Sequence, residues 1–240
     1  MPRKSRAKPP TPFKGFNSSP EVIRLVVLMY VRFPLSLRNV EDLLFERGID
    51  LCHETVRFWW NRFGPLFAAH IRRQRISRMR GFRHWNWHLD EMSVRVNGEM
   101  VYLWRAVDHE GEVLESYVTR TRDKAAALHF MKKALKRHGS PAAITTDGLR
   151  SYRAAMIELG NSEKQEIGRY ANNRAENSHL PFRRRERAML SFRQMRSLQK
   201  FASVHASLHN HFAQDRHLVD RTTFKERRSA AMVEWQMLAA

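Results

Sequence analysis

Asp90, Asp147 and Glu176 are the carboxylates whose settings suggest chemistry. Asp90 sits in Trp85-Asn86-Trp87-His88-Leu89-Asp90-Glu91-Met92-Ser93-Val94, where Trp85, Trp87 and Leu89 alternate with polar residues. The period of two predicts a half-buried strand and places Asp90 and Glu91 on opposite faces. Aspartate is depleted in strands, so Asp90 is either a solvent-facing residue of an edge strand or a metal ligand on rigid backbone. Asp147 follows the apolar run Ala142-Ala143-Ile144-Thr145-Thr146 and precedes a helical pattern. It reads either as a helix N-cap or as a group at the carboxyl end of a strand, where ligands gather in open α/β sheets. Glu176 opens the helical stretch after Asn172-Asn173, a place where glutamate commonly complements the helix dipole. Oxygen donors of this kind suit Mg2+ or Mn2+, and two such ions about 3.5–4 Å apart can stabilise both the attacking and the leaving oxygen of a displacement at phosphorus. Three converging carboxylates also repel one another, so such a site is electrostatically incomplete until cations bind.

The elements that must position them follow from the chain between. Asn97-Gly98 is a two-residue hairpin signal, Met100 to Val107 is the return strand, and Asp108 to Gly111 turns into a third strand, Val113 to Thr119. An amphipathic helix from Asp123 to Arg137 ends at Gly139, a short buried strand delivers Asp147, and a helix runs on to Gly160. A weak strand near Gln165 to Ile167 and the helix carrying Glu176 come next, and residues 192–214 form a closing helix with Phe192, Leu198, Phe201, Val204 and Leu208 apolar. Three antiparallel strands, a parallel strand and a final helix have the order of a ribonuclease-H-like core. The expected fold is therefore α/β: a ribonuclease-H-like mixed sheet flanked by helices over residues 84–215, preceded by a small all-α helix-turn-helix domain.

Before that core, residues 1–20 carry Arg3, Lys4, Arg6, Lys8 and Lys14 without an acid and read as a basic flexible arm. Ile23, Val26, Val27 and Tyr30 keep helical spacing up to Phe33-Pro34. After Ser36, an expected N-cap, Leu37, Val40, Leu43 and Leu44 share a face up to Gly48. A third helix from His53 to Phe63 carries Val56, Trp59 and Phe63, and Gly64-Pro65 is expected to break or kink it. Three short helices with a glycine turn before the last describe a helix-turn-helix over 21–72, or a plain bundle with an aromatic core. On the first reading Arg57 and Arg62 face the major groove, while Arg72, at the end of the module, and Arg73, opening a basic linker over 73–83, meet phosphates. Arg183, Arg184 and Arg185, close to Glu176, are further backbone contacts.

Charge supports a polyanionic partner: 43 Lys and Arg against 24 Asp and Glu leave +19. A membrane is excluded as the partner because the longest apolar run, Val22 to Val31, is too short to span and contains Arg24. The N-terminus lacks the apolar segment of a secretory signal, and a single cysteine, Cys52, rules out an internal disulfide and fits a reducing cytoplasm. His205 and His209 stand at i, i+4 with His211 nearby, but without a following Glu or a cysteine partner they read as a polar helix face rather than a zinc site. Residues 216–240 form a helical tail.

Leu89-Asp90-Glu91, Tyr102-Leu103-Trp104-Arg105-Ala106-Val107-Asp108, Thr146-Asp147 and Asn172-Asn173-Arg174-Ala175-Glu176-Asn177 resemble, in order and spacing, the DDE transposases of bacterial insertion-sequence family six. The similarity runs from about Phe13 to Asp220. It implies that Asp90, Asp147 and Glu176 are the catalytic triad and the ligands of two Mg2+ (or Mn2+) ions. Glu91 is left on the wrong face. Arg183 occupies the family's basic position seven residues after the glutamate, with Pro181 expected to interrupt the helix between them. The implied function is a transposase that binds the terminal inverted repeats of its element and catalyses metal-dependent strand cleavage and transfer into target DNA. Water attacks first, and the freed 3′-hydroxyl attacks second, with no protein nucleophile. The implied partners are double-stranded DNA, as element ends and target, and further copies of the chain, at least a dimer on DNA, in the nucleoid of the cytoplasm. A non-catalytic DNA-binding regulator derived from a transposase is the alternative; retention of all three carboxylates weighs against it. A tyrosine recombinase would need a nucleophile near the C-terminus, and the last tyrosine is Tyr170.

Overall fold

The computed structural model describes residues 11–78, 86–168, 172–189, 191–213 and 219–238. Three helices precede the first strand: α1 (Pro20–Arg32), α2 (Leu37–Phe45) and α3 (His53–Arg78). Ser19 caps α1, and Ser36 with Asn39 forms a capping box on α2, so both helices start where a hydroxyl can take the free amide hydrogens. Unlike the sequence expectation, α3 is not broken at Gly64-Pro65 but continues to Arg78. An internal proline costs a helix about 3 kcal/mol. Burial of Trp59, Trp60, Phe63, Phe67, Ala68 and Ile71 on both sides of it offsets that cost. Residues 73–78 are thus the last turns of a packed helix rather than a linker, and the remainder of the expected linker lies outside the described residues. Part of the basic arm is docked as well: the rings of Phe13 and Phe16 lie 5.2 and 5.1 Å from that of Phe63.

The β-prone run becomes β1 (Asn86–Val96), and the Asn97-Gly98 turn has φ of 50° and 87°, the left-handed pair that a tight hairpin needs. Then come β2 (Glu99–Asp108), β3 (Val113–Thr119), α4 (Lys124–His138), β4 (Ala143–Thr146), α5 (Arg150–Glu158), β5 (Gln165–Ile167), α6 (Asn173–Ala188), α7 (Met195–Phe212) and α8 (Arg221–Gln236). The sheet order is β3-β2-β1-β4-β5. β1, β2 and β3 are antiparallel, while β4 runs parallel to β1 and β5 parallel to β4, the ribonuclease-H-like arrangement.

Alternation along β1 divides the core. Trp87 and Leu89 join Trp104, Phe130, Ile144, Tyr152 and Met156 under α4 and α5. Met92, Val94 and Val96 join Phe182, Phe201 and Leu208 beneath α6 and α7. The second cluster also contains Val27, Trp60, Phe63, Phe67 and Trp235, so the N-terminal helices and α8 share one core with the sheet.

Candidate active site

Pairing between β1 and β4 ends at Leu89 opposite Thr146. The next residue on each chain segment is an acid: Asp147 follows the end of β4, and Asp90 stands beside it within β1, which runs on to Val96 paired with β2 alone. Asp147 is not the cap of α5, as its local sequence suggested: Leu149 holds that position, and the Asp147 Oδ1 accepts from the Leu149 amide at 3.0 Å. Gly148 makes this turn possible, with φ of 84° and only 3.2 Å between the position of a Cβ and Ile167. Asp90 lies in the interior of the sheet rather than on its edge, its side chain 14% exposed. Its carboxyl is pushed up to about 7, first by burial and then by Glu91, Asp147 and Glu176.

Glu91 departs from expectation. Its backbone does face the α4–α5 side, but β4 has ended, and nothing in the sheet separates the two faces at this point. Its carboxylate therefore comes round the open strand edge, and oxygens of Asp90, Glu91 and Asp147 lie within 4.8 Å of one another, an all-oxygen set suited to a hard divalent cation. Arg122, in the loop before α4, donates from Nε and Nη2 to the Glu91 Oε1, each at 2.5 Å, and its Nη2 is 3.8 Å from the Asp147 Oδ2.

Glu176 is exposed in the first turn of α6 and lies outside that 4.8 Å group, near enough to Asp90 to raise its pKa. Three ties fix α6 against the sheet. Asn172 donates to the Leu89 carbonyl at 3.0 Å, Arg105 of β2 to the Ser178 carbonyl at 2.5 Å, and Arg183 to the Ser93 carbonyl at 2.5 Å. The helix continues through Pro181, which corrects the expected interruption: Phe182, fully buried on Arg105 and Phe201, holds it in register. One turn after Glu176, the His179 Nδ1 stands 3.7 Å from the Asp90 Oδ2, and burial beside Arg105 keeps this imidazole neutral, its pKa lowered to about 3.

The basic residues separate into two groups. Arg57, Arg62, Arg73 and Arg184 are exposed, Arg57 pairing with Glu54 and Arg62 lying 5.5 Å over the Phe16 ring. Arg185 is 1% exposed between Tyr30 and Phe201, which removes it from any DNA surface. Arg72 is half-buried and donates to the Ser203 and Ser207 hydroxyls of α7, and Arg183 is spent on Ser93 and Glu186, so neither is the free phosphate contact that its sequence suggested. The run is a helix with one buried side, and only Arg184 of the three points out. His205 is likewise buried, against Phe182 and Phe201, rather than on a polar face. Sequence reasoning missed Asn172, Arg105, Arg122 and His179. Arg105, a charge inside the apolar run Tyr102 to Val107, and Asn172 stand in the blocks that carry the family resemblance; Arg122 and His179 left no comparable sign.

A mixed sheet in the order β3-β2-β1-β4-β5, with an oxygen-donor cluster gathered where β4 ends beside β1, is a fold of the ribonuclease-H-like class. Residues 84–215 match the family model described as a DDE domain, of the IS240 transposase type. The chain belongs to the DDE transposases of insertion-sequence family six and is a transposase. It is 30% identical over 172 residues to the transposase for insertion sequence-like element IS431mec of Staphylococcus aureus, covering 70% of this chain and 74% of that one. It is 29% identical, with the same coverage, to the transposase for IS257 in transposon Tn4003 of Staphylococcus aureus. Among solved structures, the catalytic domain of Mos1 mariner transposase aligns with a TM-score of 0.34 at 13% identity, covering 70% of this chain and 92% of that chain. No helix among the described residues is long and apolar enough to cross a membrane.

Proposed function

We propose that Asp90, Asp147 and Glu176 hold two divalent ions, Mg2+ or Mn2+, at which the ends of the element are cut and joined to target DNA. The observation that carries this reading is the register that ends at Leu89 and Thr146 and leaves two acids side by side. When bound, the ions supply polarisation of the attacking and leaving oxygens at phosphorus. The protein's part is placement. The interior of β1 presents Asp90, the residue after β4 presents Asp147, and α6, pinned at Asn172 and Arg183, carries Glu176 in its first turn. His179, held neutral, adds no cation that would compete at Asp90. Arg57 and Arg62 on the open face of α3 meet the major groove of the terminal repeats, and Arg73 and Arg184 meet phosphates. Cutting two ends together calls for at least two copies on DNA, acting in the nucleoid of the cytoplasm.

The test is nicking of a labelled terminal-repeat duplex with Mg2+ or Mn2+ against EDTA. Asp90→Asn, Asp147→Asn and Glu176→Gln are each expected to lower the rate by about 10³-fold or more while repeat binding persists, because the amides keep shape and remove only ligand charge. Wild-type nicking by Asp147→Asn would show that the acid only shapes its turn.

A further inference from the structure

The side chain of Glu91 is only 1% exposed, in a site whose other acids are reachable from solvent. One oxygen is held by Arg122; the other, Oε2, is buried without a hydrogen-bond partner, with the Tyr152 hydroxyl beside it but outside hydrogen-bond geometry. A structural ion pair gains from satisfying both oxygens of a buried carboxylate, and an unsatisfied one is costly. Here the unsatisfied oxygen belongs to a carboxylate that reaches to within 4.8 Å of Asp90 and Asp147, a group that does not include Glu176. Arg122 bridges the same cluster from its rim, in contact with Glu91 and 3.8 Å from Asp147, with 42% of its side chain in solvent. A half-exposed guanidinium between two acids is a cation that can leave.

We propose that Glu91 is a fourth carboxylate ligand of the metal centre, and that Arg122 is the counter-cation that neutralises Glu91 and Asp147 until a divalent ion takes over that charge. This rests on the metal-dependent reading above. It also makes Glu91 more than a residue of the strand: the pair Asp90-Glu91 grips the site from both faces of β1, possible only because β4 stops one residue earlier.

Mn2+ binding to the full-length chain without DNA, followed by electron paramagnetic resonance, separates the possibilities, with thermal unfolding measured alongside. Asp90→Asn sets the scale for loss of a ligand. Glu91→Gln, which can still accept from Arg122, is expected to weaken Mn2+ binding by about tenfold or more. Arg122→Gln is expected to tighten it several-fold, since the competing cation is gone. Unchanged Mn2+ affinity in Glu91→Gln, with or without a lowered Tm, overturns the proposal and leaves Glu91 as a structural partner of Arg122. Unchanged affinity in Arg122→Gln overturns the counter-cation role. If wild-type protein and Asp90→Asn bind Mn2+ alike, the triad reading itself fails, an outcome distinct from failure at Glu91 alone.

Discussion

Neighbouring arginines of identical type do opposite work here. Arg185 is buried between Tyr30 and Phe201, its guanidinium 4.9 Å over the Tyr30 ring and its pKa lowered to about 10 by burial, while Arg184 next to it is exposed. Arg185→Ala empties a large buried volume and is expected to destabilise the fold by about 1–3 kcal/mol in urea unfolding, without changing the salt dependence of DNA binding. Arg184→Ala should leave stability within about 0.5 kcal/mol and reduce the slope of log affinity against log salt by about 0.9, the signature of one lost phosphate contact. Reversed results for the two variants would mean that α6 presents its other side to DNA.

Asn172 is buried, 3% exposed, and links the start of α6 to the strand residue before Asp90, so it acts on Glu176 through the helix. Asn172→Ala is expected to cost about 1 kcal/mol in stability yet lower nicking by about 10²-fold, because misplacing a reacting group by about 1 Å costs that much. Equal, small losses in both would make Asn172 a purely structural tie. On α7, His205 and His209 stack with ring centroids 5.9 Å apart. Burial lowers both, followed by the charge of Arg105, taking His209 to about 4 and His205 well below its ordinary value. A folded pKa below the unfolded one means that the unfolded chain binds protons more readily; the stability these residues contribute is complete above about pH 6.5 and is lost as pH falls through about 4. Tm should drop across that window, and His205→Phe combined with His209→Gln should flatten the drop. A double variant with the wild-type profile would place the acid sensitivity elsewhere.

The molecule as a whole is welded across the line where the sequence suggests two domains. Trp60 of α3 meets Phe201 of α7 at 5.6 Å, Phe67 meets Trp235 at the end of α8 at 5.2 Å, and Asn61 accepts from Lys200 at 2.8 Å. A fragment ending at Arg78 would expose Trp60 and Phe67 to water, each contributing on the order of 1.5–3 kcal/mol of burial. Such a fragment is expected to show no cooperative transition, whereas the full chain unfolds in one, as followed by circular dichroism in urea. A fragment with its own sharp transition would restore an autonomous DNA-binding domain.

Local patterns determined a good deal of this protein without any tertiary information. The period of two along Trp85 to Val96, the left-handed Asn97-Gly98 turn, the Ser36 cap and Gly139 after α4 each act over a few residues, so each was legible in the chain. The order of strands and acids pointed to the ribonuclease-H-like class, because connection rules leave few ways to pair three antiparallel strands with a parallel fourth. What tertiary structure alone decided depends on contacts between distant segments. Glu91 joins the acids because β4 stops at Thr146, 55 positions away in the chain. Arg183 and Arg185 turn inward because β1, Tyr30 and Phe201 are there to receive them. Pro65 and Pro181 stay helical because the burial around them outweighs the one backbone hydrogen bond each removes. A local pattern tells which way a backbone turns; where a long charged side chain ends depends on what the rest of the fold leaves open beside it.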